Sequence, residues 1–445
     1  MSETSGPLPR ATLTPADVAV MVVGIVLGFG IFATPALVAK YSSDEAMFVS
    51  LWLLGGMVTL LGAVCYAELG SARPDAGGEY AFLNEAYGRK VALLFAWARC
   101  AVIQPGAIAA AAFVMGDYAN SALPLGPYGP GLYALVAITV FTLVNRVGIT
   151  PGKLTQRFVE VVVVLALIAI VVSAFATTAP APRPSTPPET SLAGIGLAMM
   201  YILLTYGGWN EAAYLSGELQ DAQRNMARAL VLGVLVVIAV TLAINLAFLH
   251  VLGLEGVRDS DAVGADMMRA VAGDAGATAL SVVVMLSTLT TLNGLMITGA
   301  RSYYALGRDV AALRAIGTWK ERGSTPANAL VLQGAVSAAL VVFGAVTRVG
   351  FRAMVAYTAP VFWFFMFLVA LSLYVFRRRE PAAAPHYRVP LYPVTPALFG
   401  LSCLWVLWSS LFHAGWGAVL GVVVLLAGTP LLLLAPTRPC GSTGG

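Results

Sequence analysis

MVVGIVLGFGIFATP, residues 21–35, is apolar enough to enter a membrane, yet three glycines and a proline interrupt it. Glycine in a helix interior costs about 1 kcal/mol relative to alanine. A plain membrane anchor gains nothing from two of them around a phenylalanine, as in Gly28-Phe29-Gly30. Two readings stand at this point. Gly24 and Gly28 satisfy the small-xxx-small spacing that lets membrane helices pack closely. Alternatively the helix breaks at membrane depth, which is tolerated only where the irregular backbone lines a cavity or is buried in protein.

The rest of the chain places this stretch in a membrane. Of 445 residues, 59% are hydrophobic and 11% charged, against about 25% charged in an ordinary soluble domain. With a mean hydropathy of +0.82, this is the composition of a polytopic membrane protein, all-α because helices satisfy their own backbone. Apolar runs fall near 16–39, 47–68, 91–117, 131–146, 157–177, 193–216, 228–252, 278–300, 328–347, 355–376, 396–413 and 416–434. Twelve transmembrane helices put both termini on one side. Basic residues collect in the 301–325 loop and at Arg377-Arg378-Arg379, which makes that side cytoplasmic and the host the cell membrane.

The segments divide as follows: a cytosolic tail 1–15, five helices over 16–177, an external proline-rich linker 178–192, and five helices over 193–376. A cytosolic loop 377–395, two peripheral helices over 396–434 and a cytosolic tail 435–445 complete the chain. The external stretch 253–277 is too polar to span, and its spaced Val263, Met267, Met268 and Val271 predict a short helix lying on the protein. A net charge of +4 without a basic tract excludes a nucleic-acid partner. Four scattered cysteines and three scattered histidines offer no metal site, and no cofactor motif is present. Neither a nucleophile–base pair nor HExxH-type spacing points to an enzyme.

The sixth run bears on the first. It carries TYGGWNEAAYLSGEL, residues 205–219, with Gly207-Gly208 midway and Trp209, Asn210 and Glu211 directly after. Paired interruptions in corresponding helices of two halves are the best sequence pointer to a transporter's substrate site. Amides at the start of the half-helix after the first break suit a carboxylate. Carbonyls freed in the sixth suit an ammonium group, so a zwitterionic α-amino acid fits both.

Six motifs carry a resemblance: GFGIFATP (28–35), YAELGSARPDAGGEYAFLNEAYG (66–88), YGGWNEAAYLSGEL (206–219), DAQRNMARAL (221–230), TLNGLMITGARSYYALGRD (291–309) and YRVPLYP (387–393). With these in order along nearly the whole chain, it resembles an amino acid permease of the amino acid–polyamine–organocation (APC) superfamily, close to the L-type exchangers and their bacterial relatives. The resemblance implies a LeuT-like fold of 5+5 inverted repeats with broken helices 1 and 6, and alternating access without covalent chemistry. It also implies that the amides of Phe29 and Gly30 hold the substrate carboxylate, and the carbonyls of Val26, Leu204 and Gly207 its ammonium group. Asn210 then sits beside the side-chain pocket.

This chain departs from the family pattern at three positions. Phe29 stands where serine or alanine is usual; its ring either narrows the pocket or points away to line the vestibule. Leu204 replaces a frequent gating aromatic. Val163 stands where many members carry a lysine linked with coupling, so that scheme cannot be copied here. The L-type exchangers also have a disulfide-linked partner, but NSALPLGPYGPG (120–131) contains no cysteine, so none is expected here.

The ionisable residues complete the candidates. Arg99 lies nine residues past Lys90, about 13 Å along a helix. It must face the interior and find a carboxylate, with Glu211 and Glu160 the candidates. Either a packing ion pair or a coupling element fits. Glu68 and Glu218 sit near the cytoplasmic ends of their spans; Glu218, followed by Arg224 and Arg228, suggests an internal-gate salt-bridge network, and ordinary solvated helix ends are the alternative, more for Glu68 than for Glu218. Trp209 reads as lining the site, and Gln104-Pro105-Gly106 as a kink. The expected function is secondary transport of small to medium neutral amino acids, as an exchanger or with protons as the coupled partner. A non-transporting sensor on the same fold is the alternative, although the tails are short for signalling partners.

Overall fold

The computed structural model describes residues 14–73, 78–148, 153–177, 191–310, 313–319, 325–379, 387–430 and 432. No strand occurs among them. The chain opens with α1 (Pro15–Val26), then two short pieces, α2 (Gly30–Ala33) and α3 (Pro35–Ala39). Next come α4 (Glu45–Ala72), α5 (Glu79–Tyr87) and α6 (Arg89–Ala98), whose continuation passes through a π-helical turn, Arg99–Ile103, into α7 (Gln104–Ala122). α8 (Gly129–Val147) and α9 (Lys153–Ala176) precede α10 (Leu192–Thr205). A ten-residue 3₁₀ segment, Trp209–Glu218, follows the break after α10. The remaining helices are α11 (Ala222–Arg258), α12 (Val263–Asp309), α13 (Ala327–Val346), α14 (Gly350–Arg379), α15 (Val394–His413) and α16 (Trp416–Leu426).

Local chemistry sets many of these boundaries. Asp44 caps α4 by accepting from the Met47 amide at 2.8 Å, and Ser191 caps α10 from Gly194 at 3.0 Å. Such caps satisfy amides that helix geometry leaves orphaned. Gly253 and Gly273 leave helical geometry inside α11 and α12. The stretch between them contains the short helix expected on the protein surface, with Val263 and Met267 fully buried.

Eight described helices are long and apolar enough to cross a membrane, and three shorter apolar helices accompany them. The outer surface agrees with a lipid setting. On α8, Leu132, Val136, Val140, Leu143 and Val147 form an exposed apolar stripe at helical spacing, a pattern that water would penalise. The protein is a multi-pass membrane protein. The proline-rich linker (178–190) and both extreme tails lie outside the described residues.

Inside, α11 packs along α4, α12 along α7, and α14 against α15 and α16. The 3₁₀ segment is held among α1, α4 and α11. Its first residue, Trp209, packs edge-on to Tyr66 at 4.9 Å and to Phe399 at 6.2 Å. That fit depends on Gly62, where a Cβ would meet Trp209 at 2.6 Å and the Phe399 ring at 2.7 Å. Gly62→Val should therefore destabilise the protein by about 1–3 kcal/mol through overpacking, seen as an earlier melt of the detergent-purified protein. An unchanged melt would show that the aromatic cluster yields freely.

Candidate functional site

The first run is broken where its glycines fall. α1 stops at Val26, and residues 27–29 bridge to α2. Leu27 still donates to the Val23 carbonyl at 2.8 Å, but no described backbone hydrogen bond is donated by Gly28, Phe29 or Gly30. The packing reading fails at Gly24, which is exposed and where a Cβ would meet nothing within 4 Å. The expectation of a single half-helix after the break needs correction. Thr34-Pro35 divides that half into four- and five-residue pieces, because proline cannot donate to the preceding turn. A macrodipole needs aligned peptides, so attraction for an anion must rest on individual amides.

The Phe29 ring is half-buried and lies edge-on to Phe351 of α14, with centroids 6.2 Å apart. In the sixth run, α10 ends at Thr205 and the chain turns through Tyr206, Gly207 and Gly208. Gly208 has φ 106°, a left-handed backbone that a side chain would strain. Half-buried Leu204 keeps its carbonyl in use, accepting from the Gly207 amide at 3.0 Å.

The two breaks touch. The hydroxyls of Thr34 and Thr205 lie 2.5 Å apart, one donating to the other. Gly30 sits so close that a Cβ there would fall 2.9 Å from Thr205 Cα.

Just beyond the second break lies a partly buried charge cluster. Arg99 Nη2 donates to both oxygens of Glu211, at 3.1 and 3.2 Å. Arg99 Nη1 also stands 3.7 Å from Glu79 Oε2. Glu79 Oε1 accepts from the Tyr66 hydroxyl at 2.8 Å and from the Asn210 amide at 2.9 Å. Asn210 is thus tied to a carboxylate, where the resemblance placed it beside a side-chain pocket. The π-helical turn begins at Arg99 itself, and such turns are frequent at functional sites. The irregularity expected at Gln104-Pro105-Gly106 thus falls just before those residues, which themselves open α7. Burial pushes the Glu79 carboxyl up from its ordinary value, Arg99 pulls it back, and neighbouring Glu211 pushes it up again. Glu79, Arg99, Gln104, Asn210 and Glu211 line a cavity of about 30 Å³ with Phe362 and Phe365. That is room for a water or two.

Other expected residues sort unevenly. Trp209 is buried in the aromatic cluster and also borders, with Gly207, a cavity of about 10 Å³. Val163 is buried. The side chains of Glu160 and Glu218 lie outside the described residues. Glu68 is buried and not a solvated helix end. Arg377 grips it through Nε at 2.9 Å and Nη2 at 2.6 Å, and the Val389 amide donates at 2.6 Å. It therefore clasps α4, α14 and the YRVPLYP stretch together. Among the described residues no group of histidines, cysteines and acids could hold a metal.

Comparison with known proteins now adds to this geometry. A family model described as amino acid permease matches residues 13–432. The chain is 28% identical over 418 residues to the b(0,+)-type amino acid transporter 1 of Homo sapiens, covering 92% of this chain and 84% of that one. It is 25% identical over 419 residues to the serine/threonine exchanger SteT of Bacillus subtilis (strain 168), covering 92% and 93%. The cystine/glutamate transporter of Homo sapiens is 23% identical over 423 residues, covering 93% of this chain and 83% of that one.

Proposed function

The chain belongs to the amino acid permease family, of transporters and not enzymes, and from that premise we propose which amino acids it moves and how. It carries small to medium neutral α-amino acids across the cell membrane by alternating access. It works between two inverted five-helix repeats, over 16–177 and 193–376, with both termini cytoplasmic. The observation that carries this reading is the contact of two broken helices, Gly30 against Thr205. The first break supplies amides and one carbonyl, and the second supplies carbonyls. The amides of Phe29 and Gly30 take the carboxylate, and the carbonyls of Val26, Leu204 and Gly207 take the ammonium group. With the breaks closed on each other, a substrate enters only as they part, and that parting is the alternating step.

Acidic side chains are disfavoured because Arg99 is already engaged by both Glu79 and Glu211. The serine/threonine exchanger among the relatives points the same way. The relatives are transporters or exchangers, so the sensor reading gains no support.

The test is counterflow in proteoliposomes preloaded with unlabelled amino acids, using a panel of radiolabelled neutral, cationic and acidic ones. Exchange of neutral amino acids is the expected result. No exchange of any member would sink the proposal.

A further inference from the structure

Resting on the transport reading above, we infer that Tyr303 and Tyr357 are positioning residues for transport. Their hydroxyls hold the helix at Arg99–Ile103 in its π form, and Tyr303 thereby aims Arg99 at the segment beyond the second break. The sequence shows why help is needed there. Proline has no amide hydrogen to give. At Pro105 the α-helical donor to the Ala101 carbonyl, four residues back, is therefore missing, and so is a π-helical donor to the Cys100 carbonyl, five residues back. The Gln104 amide, which would serve Cys100 in an α-helix, donates to the Arg99 carbonyl instead. A carbonyl left unpaired at membrane depth is costly. These two carbonyls are the ones the tyrosines reach. Tyr303 of α12 donates to that of Cys100, and Tyr357 of α14 to that of Ala101 at 2.8 Å. Both tyrosines are buried.

The two hydroxyls differ in what they decide. Ala101 lacks its α-helical donor in either form of the turn, so Tyr357 serves both. Cys100 needs a side-chain donor only while the Gln104 amide is held by Arg99, so Tyr303 selects the π form. Without that hydroxyl the amide returns to Cys100 and the extra residue steps back toward α6. Arg99 then turns by about 100° around the helix axis. The helix is pinned on either side of the turn. Trp97 donates to the Val424 carbonyl at 2.9 Å, and the Gln104 side chain donates to that of Leu295 at 2.8 Å. The turn itself must therefore take up the change. Arg99 now reaches both oxygens of Glu211, the third residue after Gly208. Turned away, it would release the segment that leaves the second break, next to the carbonyls proposed for the substrate's ammonium group.

The probes are radiolabelled serine, alanine and leucine in counterflow through the full-length protein in liposomes, with melting measured on the same preparations. Tyr303→Phe should lower the initial rate at least about tenfold, the scale for a small misplacement at a site. Adding Pro105→Ala gives Cys100 a backbone donor and should recover most of the wild-type rate. One amide cannot serve two carbonyls, so Tyr303→Phe/Tyr357→Phe/Pro105→Ala should stay slow. Recovery there would mean that alanine merely steadies the helix, and the inference would fall. Melting tests the aim of Arg99. The shifts caused by Tyr303→Phe and Arg99→Met should sum to more than their double variant shows, because an arginine already turned away has little left to lose. Additive shifts, a wild-type rate in Tyr303→Phe, or no recovery with Pro105→Ala would each overturn the inference. If Tyr303→Phe alone does not fold, Tyr303→Phe/Pro105→Ala is compared with Pro105→Ala. Equal rates then support the inference, and a slower double variant sinks it. No counterflow by the wild type would remove the transport reading, while the melting cycle would still decide whether Tyr303 aims Arg99.

Discussion

Arg99→Met should abolish coupled transport and cost stability on the order of 3 kcal/mol, the scale for breaking a buried ion pair from one side. The loss is dominated by Glu79, which would keep its donors from Tyr66 and Asn210 but lose the nearest positive charge. Glu211, with 40% of its side chain exposed, can recover much of its share from water. A second substitution makes the assignment specific. Removing the stranded charge in Arg99→Met/Glu79→Gln should restore part of the lost stability, since neighbours in one ion-pair network couple non-additively. It should not restore transport. The measurements are melting of the purified protein and uptake in vesicles across a pH series. Normal transport by Arg99→Met with an unaltered pH profile would end any coupling role for the cluster and leave it a packing device.

How much of this was legible in the sequence depended on whether the signal was local. Glycine and proline are read by what they do to their own backbone, so breaks at Gly28-Phe29-Gly30 and Gly207-Gly208 could be expected from the sequence, with close packing the open alternative at the first. An arginine deep in an apolar run must find a carboxylate wherever the chain puts one, so its partner could be narrowed to Glu211 or Glu160. Glu79 was quoted only within a motif, because its burial is set by Tyr66, Asn210 and Met366 from three separate elements. The role of Glu68 was left open for the same reason, since its partners Arg377 and Val389 lie more than 300 residues on. The π-helical turn has no residue signature; its only hint was the proline at 105. Pro35 stood in the opening stretch too, but its division of the second half of the first run was not read from it.

Gly30→Ala should lower transport at least about tenfold, the penalty expected when a site is displaced by a few tenths of an ångström to an ångström. Its companion Gly24→Ala should leave transport intact. The pair isolates contact from flexibility. Alanine at either position raises helix propensity by up to about 1 kcal/mol, so a loss common to both would mean that the run must simply bend. Only at Gly30 does the new methyl meet something, at 2.9 Å from Thr205 Cα and 3.2 Å from its hydroxyl, whereas at Gly24 nothing lies within 4 Å. The clash is with backbone and with a hydroxyl already committed to Thr34 and to the Tyr201 carbonyl, so no side-chain rotation relieves it. The breaks must separate, and the backbone groups proposed to hold the two ends of the amino acid separate with them. Initial rates of counterflow, with melting measured on the same preparations, decide the matter. Wild-type rates in Gly30→Ala would mean that the closed contact is not a stage of transport. Equal damage from Gly24→Ala would shift the requirement from the meeting of two breaks to the pliancy of one helix.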